Sequence, residues 1–272
     1  MKGFSFGQFY PTNSVLHRLD PRVKLVLAIL YIVASFVCRN LLAFGLLLLS
    51  AILLIAVSKI PFGVVLRGIR PVLFIMLFTA VINLFLTGGD TLVFAWKFIR
   101  IYREGIFNAI FMLVRIFVLI VGMGMFLTYT TTPIMLTDAI EQLLSPLKKV
   151  KLPVHEFAMM MTIALRFIPT LMEETEKIMA AQKARGTDFS QGPLLSRIRA
   201  LVPILVPLVV SSFRRADELA TAMECRCYHG GDGRTRMTKL RCGARDALAA
   251  VLMLLLFAGC IACNYVKISP SL

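Results

Sequence analysis

The sequence predicts an all-α, polytopic membrane protein with about five transmembrane helices and a cytoplasmic domain of long amphipathic helices. Three observations carry this. Hydrophobic residues make up 58% of the 272-residue chain, against about 45–50% in ordinary soluble domains. Long apolar runs recur along it, each near the roughly 20 residues needed to cross the hydrocarbon core. The rest is strongly basic, with 30 Lys and Arg against 15 Asp and Glu and a formal net charge of +15. Lipid tolerates such charge only where it is sorted into segments outside the hydrocarbon. Anionic headgroups and membrane orientation then account for it without a nucleic-acid partner.

Residues 1–24 carry Lys2, His17, Arg18, Asp20 and Arg22 and lack an early apolar stretch, so no cleavable signal peptide is expected there. The six cysteines, at 38, 225, 227, 242, 260 and 263, have no secreted context, and a disulfide framework is not expected. The first span is read at 23–37 and the second at 41–57, joined by a tight hairpin at Cys38, Arg39 and Asn40. Lys59, Pro61, Arg67 and Arg70 are assigned to the following loop, and span three follows Pro71 over 72–86. Residues 87–104 form a mixed connection with Gly88, Gly89, Trp96, Lys97, Arg100 and Arg103, in which Trp96 and Tyr102 can anchor at the interface. Span four covers 105–128 and is interrupted by Arg115, whose intramembrane charge needs a structural partner or a functional surface. The last span is 247–265. The chain thus divides into a membrane domain at 1–128, a cytoplasmic domain at 129–246 and a C-terminal transmembrane segment at 247–272.

Loop charge sets the orientation. With the N-terminus inside, the cytoplasmic side holds Lys2, Arg18, Arg22, Lys24, Lys59, Arg67, Arg70 and the whole 129–246 block. The outside holds Arg39, Lys97, Arg100, Arg103 and Lys267. The N-terminus is therefore expected in the cytoplasm and the C-terminus outside.

Within the 129–246 block, charges of both signs recur at helical spacing. One helix follows Pro153 and runs to about Arg185, with Leu165, Ile168, Met172, Met179 and Ala180 alternating with charged residues. Pro169 should bend it, and Gly186 should end it. A second helix is read from about Val206 to Tyr228, with Val206, Val209, Phe213, Ala216, Ala220 and Met223 as its apolar face and Gly230, Gly231 and Gly233 as its stop. The short apolar stretch 203–213 reads as a buried helix of this domain in preference to a sixth span.

Each helix thus ends in an arginine between small residues, Ala184-Arg185-Gly186 and Cys225-Arg226-Cys227. Small neighbours let a helix tip approach another protein's backbone, and the guanidinium offers a planar fork of donors. The plainer reading of one such arginine is a cation against the helix macrodipole. Two like tips in one domain favour docking.

On these residues the chain resembles the EcfT family, the transmembrane T components of energy-coupling factor transporters. The resemblance spans nearly the whole chain. It rests on the 14–24 segment Ser-Val-Leu-His-Arg-Leu-Asp-Pro-Arg-Val-Lys, on Thr-Thr-Thr-Pro at 130–133 and on Arg166-Phe167-Ile168-Pro169. Two further signatures are Ala181-Gln182-Lys183-Ala184-Arg185-Gly186 and Ala222-Met223-Glu224-Cys225-Arg226-Cys227-Tyr228. The resemblance implies a scaffold that links two ABC-type ATPases to a substrate-binding S component for uptake of vitamins or other micronutrients. The tips at Arg185 and Arg226 would sit in grooves on the ATPases. The second signature departs from the family by carrying Cys225 and Cys227 where Ala or Gly is usual.

The remaining features add no chemistry. Cys225, Cys227, His229 and Cys242 match no common zinc spacing and are crowded by Arg226, Arg234 and Arg236, so no metal is expected. Cys260 and Cys263 read as small packing residues of the last span. Met159, Met160 and Met161 read equally as core filler and as an adaptable surface that meets the S component. The run Gly230-Gly231-Asp232-Gly233-Arg234 is not a phosphate loop, and no Gly-x-x-x-x-Gly-Lys-Ser/Thr occurs. No catalytic constellation can be assembled and no cofactor is expected. The expectation is therefore a non-catalytic, multi-pass plasma-membrane subunit. The alternatives are a T component dedicated to cobalt, nickel or biotin, and a membrane-embedded lipid or phosphate enzyme using Arg115 and His155.

Overall fold

The protein is described by a computed structural model covering residues 9–88, 92–96, 99–146, 153–187, 194–230, 240 and 242–265. Gly89, Lys97, Lys2, Lys267 and the loop positions Gly231, Asp232, Gly233, Arg234 and Arg236 lie outside the described residues. The elements in order are α1 Pro21–Val37, α2 Leu41–Ser58, α3 Phe62–Leu86, β1 Leu92–Trp96 and β2 Ile99–Tyr102. They are followed by α4 Arg103–Met123, a π-helical turn Gly124–Thr128, α5 Pro133–Leu143, α6 Val154–Ala184, α7 Leu194–Cys225 and α8 Ala244–Tyr265. The architecture is helical and polytopic. Leu41–Ser58, Phe62–Phe85, Arg103–Thr128 and Ala244–Tyr265 are each long and apolar enough to cross a membrane. The helix α1, at 17 residues, is at the short limit for a span of about 17–25 residues.

Several boundaries differ from the sequence reading. Span three was expected to begin after Pro71, but α3 starts at Phe62 and carries Pro71 inside it, so Arg67 and Arg70 lie on a helix and not in a loop. Proline removes one backbone donor, a loss that apolar transmembrane helices tolerate. The 87–104 connection contains a two-stranded antiparallel hairpin, β1 with β2, with an irregular register between Leu92 and Phe94.

The chain forms two units, Met1–Ala139 with Lys239–Leu272, and Ile140–Thr238. In the first, α1, α2, α3, α4 and α8 close around one apolar core. Tyr31 lies against Gly122, where a Cβ would come within 2.2 Å of the ring, so only glycine fits there. Phe44 stacks on Phe111 at 5.0 Å between centroids. Arg115 donates from Nη2 to the Cys38 carbonyl at 3.2 Å and lies over the rings of Phe44 and Phe36. Its charge therefore holds the end of α1 in place. Asn264 closes the same corner, donating to the Val37 carbonyl at 2.7 Å and accepting from the Arg39 amide at 3.1 Å.

The opposite corner is built by the 14–24 segment. Asp20 caps α1, its Oδ1 accepting from the Arg22 amide at 2.9 Å, and Pro21 takes the first helical position, where its missing N–H costs nothing. The His17 ring receives the Ser14 hydroxyl at 2.7 Å and donates to the Tyr10 carbonyl at 2.9 Å. Lys24, 1% exposed, donates to the Thr130 carbonyl at 2.8 Å, the His17 carbonyl at 3.3 Å and the Thr131 hydroxyl at 3.4 Å. The Asp20 amide donates to Asp246 Oδ1, and the Gly243 amide to Asp246 Oδ2, both at 2.8 Å. Two of the sequence motifs, the 14–24 segment and the threonine run, thus meet at one ammonium.

Replacing Lys24 by Met leaves two carbonyls without their donor and two buried carboxylates without a nearby cation. Removing one partner of a buried charged network costs about 3–5 kcal/mol. The expected outcome is a clear fall in the thermal unfolding midpoint of the detergent-solubilised chain, and an unchanged midpoint would show that Lys24 is not a support of this corner.

Candidate functional site

The second unit carries both arginine tips. The helix α6 has the expected extent, beginning after Pro153 and ending at Ala184, with Pro169 inside it. His155 Nδ1 meets Glu141 Oε1 at 2.9 Å near its start. The helix α7 departs from expectation. It begins at Leu194, twelve residues before Val206, and carries Pro203 and Pro207 in its interior. The 203–213 stretch is not buried either: Leu205, Val206, Val209, Val210 and Phe213 are exposed. The apolar face exists, but the described residues of the unit do not cover it.

The two tips share one hydrogen-bonding geometry. At the end of α6 the Gly186 amide donates to the Lys183 carbonyl at 3.0 Å, and the Thr187 amide to the Gln182 carbonyl at 3.1 Å. At the end of α7 the Cys227 amide donates to the Glu224 carbonyl at 2.9 Å, and the Tyr228 amide to the Met223 carbonyl at 3.1 Å. Both sets are the paired bonds of a Schellman ending, which requires a left-handed residue just past the cap. Gly186 supplies it at φ 87° and Cys227 at φ 53°. Arg185 and Arg226 therefore occupy the same cap position, and both are exposed, as are Ala184, Gly186, Cys225 and Cys227. The glycines expected to stop the second helix do not do so, since the chain turns at Cys227, before Gly230. A side chain with a Cβ pays about 1–2 kcal/mol for that conformation, offset here by the two amide bonds.

The crossing of the helices was not foreseen in the sequence. Glu174 of α6 accepts from the Ser211 hydroxyl and the Arg215 guanidinium of α7, each at 2.5 Å. These two donors hold the Glu174 carboxyl below its ordinary range. Glu174 lies eleven residues before Arg185, and Arg215 eleven before Arg226, so each tip stands about 16 Å of helix from the junction. Ile163, Phe167 and Leu171 line a hollow of about 280 Å³ together with Leu219, Ala220 and Met223. The early part of α6 thus accompanies the late part of α7. The helices run in opposing senses, and the tips lie on opposite sides of the Glu174–Arg215 pair.

Of the methionine triplet, Met159 is half-buried while Met160 and Met161 are exposed beside exposed Phe157. The triplet therefore lies near the start of α6, at the other end of that helix from the Arg185 tip. Among the described residues no group of three His, Cys, Asp or Glu side chains is placed to hold a metal.

The CbiQ family, described as cobalt transport protein, matches residues 12–237, which makes this chain a transmembrane component of a transport system. Proteins named energy-coupling factor transporter transmembrane protein EcfT are similar along almost its full length. That of Clostridium kluyveri is 51% identical, with 94% of this chain and 95% of the relative covered. That of Ruminiclostridium cellulolyticum is 48% identical, with 98% and 99% covered, and that of Bacillus subtilis 46%, with 95% and 97% covered. The chain belongs to the EcfT family.

Two outcomes follow from the tip geometry and the crossing. Cys227→Gly should stabilise the second unit by about 1 kcal/mol, because glycine adopts the left-handed conformation freely. Cys227→Ala should not, and denaturant unfolding of the purified chain separates the two. The Glu174 carboxyl is depressed in the folded state, so its contribution is present above the ordinary carboxylate range and is lost as pH falls through the depressed value. Acid should therefore loosen the α6–α7 crossing, read by hydrogen exchange across 205–220, and Glu174→Gln should remove that pH dependence.

Proposed function

We propose that this chain is the coupling scaffold of its transporter, joining two ABC-type ATPase subunits to a substrate-binding S component that carries a vitamin or other micronutrient. The observation that carries this reading is the pair of matching tips. Two exposed arginines occupy one cap geometry, at equal distances from a shared crossing and on opposite sides of it. Two equal partners need two equal sockets, and a pair of ATPases has that form. The reading puts the N-terminus and the 129–246 block in the cytoplasm, as loop charge favours. The ATPases supply hydrolysis, since the sequence lacks a phosphate-binding loop, and the chain is a non-catalytic subunit. Ala184, Arg185, Gly186, Cys225, Arg226 and Cys227 make the ATPase contacts. Met159, Met160 and Met161 belong to the S-component contact, where flexible thioethers suit a surface that meets more than one partner.

The crossing explains why motion would be transmitted. A tip displaced by an ATPase moves a rigid helical arm about the Glu174–Arg215 junction, and the apolar face of α7 and the Met160 surface of α6 move with it.

The test is ATPase co-purification together with substrate uptake in cells making Arg185→Ala, Arg226→Ala or both. Truncating a hydrogen-bonded arginine at an interface costs about 2–5 kcal/mol. Each single change should weaken ATPase retention, and the double change should nearly abolish uptake while helix content and membrane insertion stay normal. Arg226→Lys should rescue in part, since an ammonium cannot reproduce the guanidinium fork. A double variant that keeps its ATPases and transports normally would reduce the tips to ordinary helix ends.

A further inference from the structure

Arg67 and Arg70 lie within α3 and have no ion-pair or hydrogen-bond partner among the described residues. The sequence itself gives them no local counter-charge, for no Asp or Glu occurs between Asp20 and Asp90. In the same unit Asp20 and Asp246 are buried in the Lys24 corner. Two exposed guanidinium groups one turn apart on an otherwise apolar helix thus have their whole donor capacity turned outward.

Their surroundings have a particular form. Gly63, Leu66, Arg67, Arg70 and Leu73 line a hollow of about 450 Å³. Their spacing of three and four residues sets them on one helix face. Nothing stands within 4 Å of where a Cβ on Gly63 would be, so the hollow is open at its glycine end. Further along the same face Leu73, Phe74 and Leu77 are exposed. The face is therefore polar and cationic in its first turns and continuously apolar after them. Pro61 gives α3 no side-chain cap, so the first-turn amides add a positive end to the same region.

Length places this head in the membrane. The 25 residues of α3 extend about 37 Å, beyond a hydrocarbon core of about 30 Å. The apolar stretch after Arg70 accounts for about 24 Å of it. Arg67 and Arg70 consequently fall where headgroups meet acyl chains, the level at which basic side chains bind lipid phosphate.

We propose that this face of α3 is a binding site for an anionic phospholipid. Its phosphate lies between the Arg67 and Arg70 guanidinium groups in the hollow beside Gly63, and an acyl chain runs along Leu66, Leu73 and Phe74. Guanidinium groups donate to phosphate oxygens in a bidentate manner. The apolar continuation of the face distinguishes a lipid from a free anion. This site is independent of the arginine tips, and its failure would leave the coupling reading intact.

The test uses the purified full chain titrated with phosphatidylglycerol or phosphatidylcholine and read by native mass spectrometry as lipid retained per chain. Two interfacial cations predict retention of phosphatidylglycerol over phosphatidylcholine on the order of thirty-fold. Arg67→Gln with Arg70→Gln should bring the two lipids within about threefold. The Arg67→Lys, Arg70→Lys pair should keep most of the preference, which also guards against misfolding of the glutamine variant. Changing the exposed Arg18 and Arg39 to Gln removes the same charge elsewhere and should leave the preference in place. Millimolar inorganic phosphate should not displace the lipid. The proposal is overturned if the two glutamine pairs behave alike, or if inorganic phosphate competes. It is equally overturned if the Arg67 and Arg70 variant keeps its lipid but loses a co-purifying membrane protein, which would make the face a protein-docking surface.

Discussion

The membrane unit depends on a buried ammonium. Among the described residues Lys24 has no carboxylate in contact; it is held by carbonyl and hydroxyl oxygens, with Asp20 and Asp246 nearby to balance its charge. The Thr130 carbonyl is available to it because the helix has just ended. The last carbonyls of a helix have no partner within it and carry the negative end of its dipole, so Lys24 acts as the C-terminal cap of the α4 segment. The π-helical turn at Gly124–Thr128 belongs to the same construction, its Met125 and Phe126 carbonyls taking the Thr130 hydroxyl at 2.9 and 3.0 Å. Asp246 then joins the start of α8 to the cap of α1. The 20–24 segment, Thr130 and Asp246 are far apart in sequence, yet each satisfies a polar group that the others leave open.

The second unit relies on a different constraint, the left-handed residue past each tip. A helix can present an arginine at its cap only if the chain then turns sharply away. Glycine does this without strain, and at the second tip cysteine does it at a cost. The small side chains beside Arg185 and Arg226 thus serve the backbone before they serve any partner. The Glu174–Arg215 pair adds the other requirement, a fixed crossing from which the two arms extend equally.

Much of this was legible in the sequence. The apolar runs mark α2, α4 and α8, and Pro153 and Gly186 bracket α6 within a residue or two. One proline misled. Pro71 read as the start of span three but lies inside α3, because a lost donor is a local cost while packing and the surrounding turns act over the whole element. Arg185 and Arg226 were visible as motifs, whereas their equivalence was not, since the φ of Cys227 has no sequence signal. Equal eleven-residue spacings to Glu174 and Arg215 could be counted in advance, but they acquire meaning only once α6 and α7 are known to cross there. Periodicity likewise found the apolar face of α7, but the 203–213 stretch it read as buried is largely exposed among the described residues.

Three arginines within the apolar helices have two different fates, and the contrast bears on what the membrane surface of this protein is for. Arg115 is half-buried, reaches the Cys38 carbonyl, and lies against two aromatic rings. A cation placed there replaces water with a carbonyl and the faces of Phe36 and Phe44, so the protein itself supplies its solvation. Among the described residues Arg67 and Arg70 receive no such provision, and the acid-free sequence from 21 to 89 contains no carboxylate to supply it. A charge left without an internal partner on an apolar helix is stable only where something outside the chain solvates it. The sequence thus encodes a structural cation at one end of the bundle and an outward-facing pair at the other.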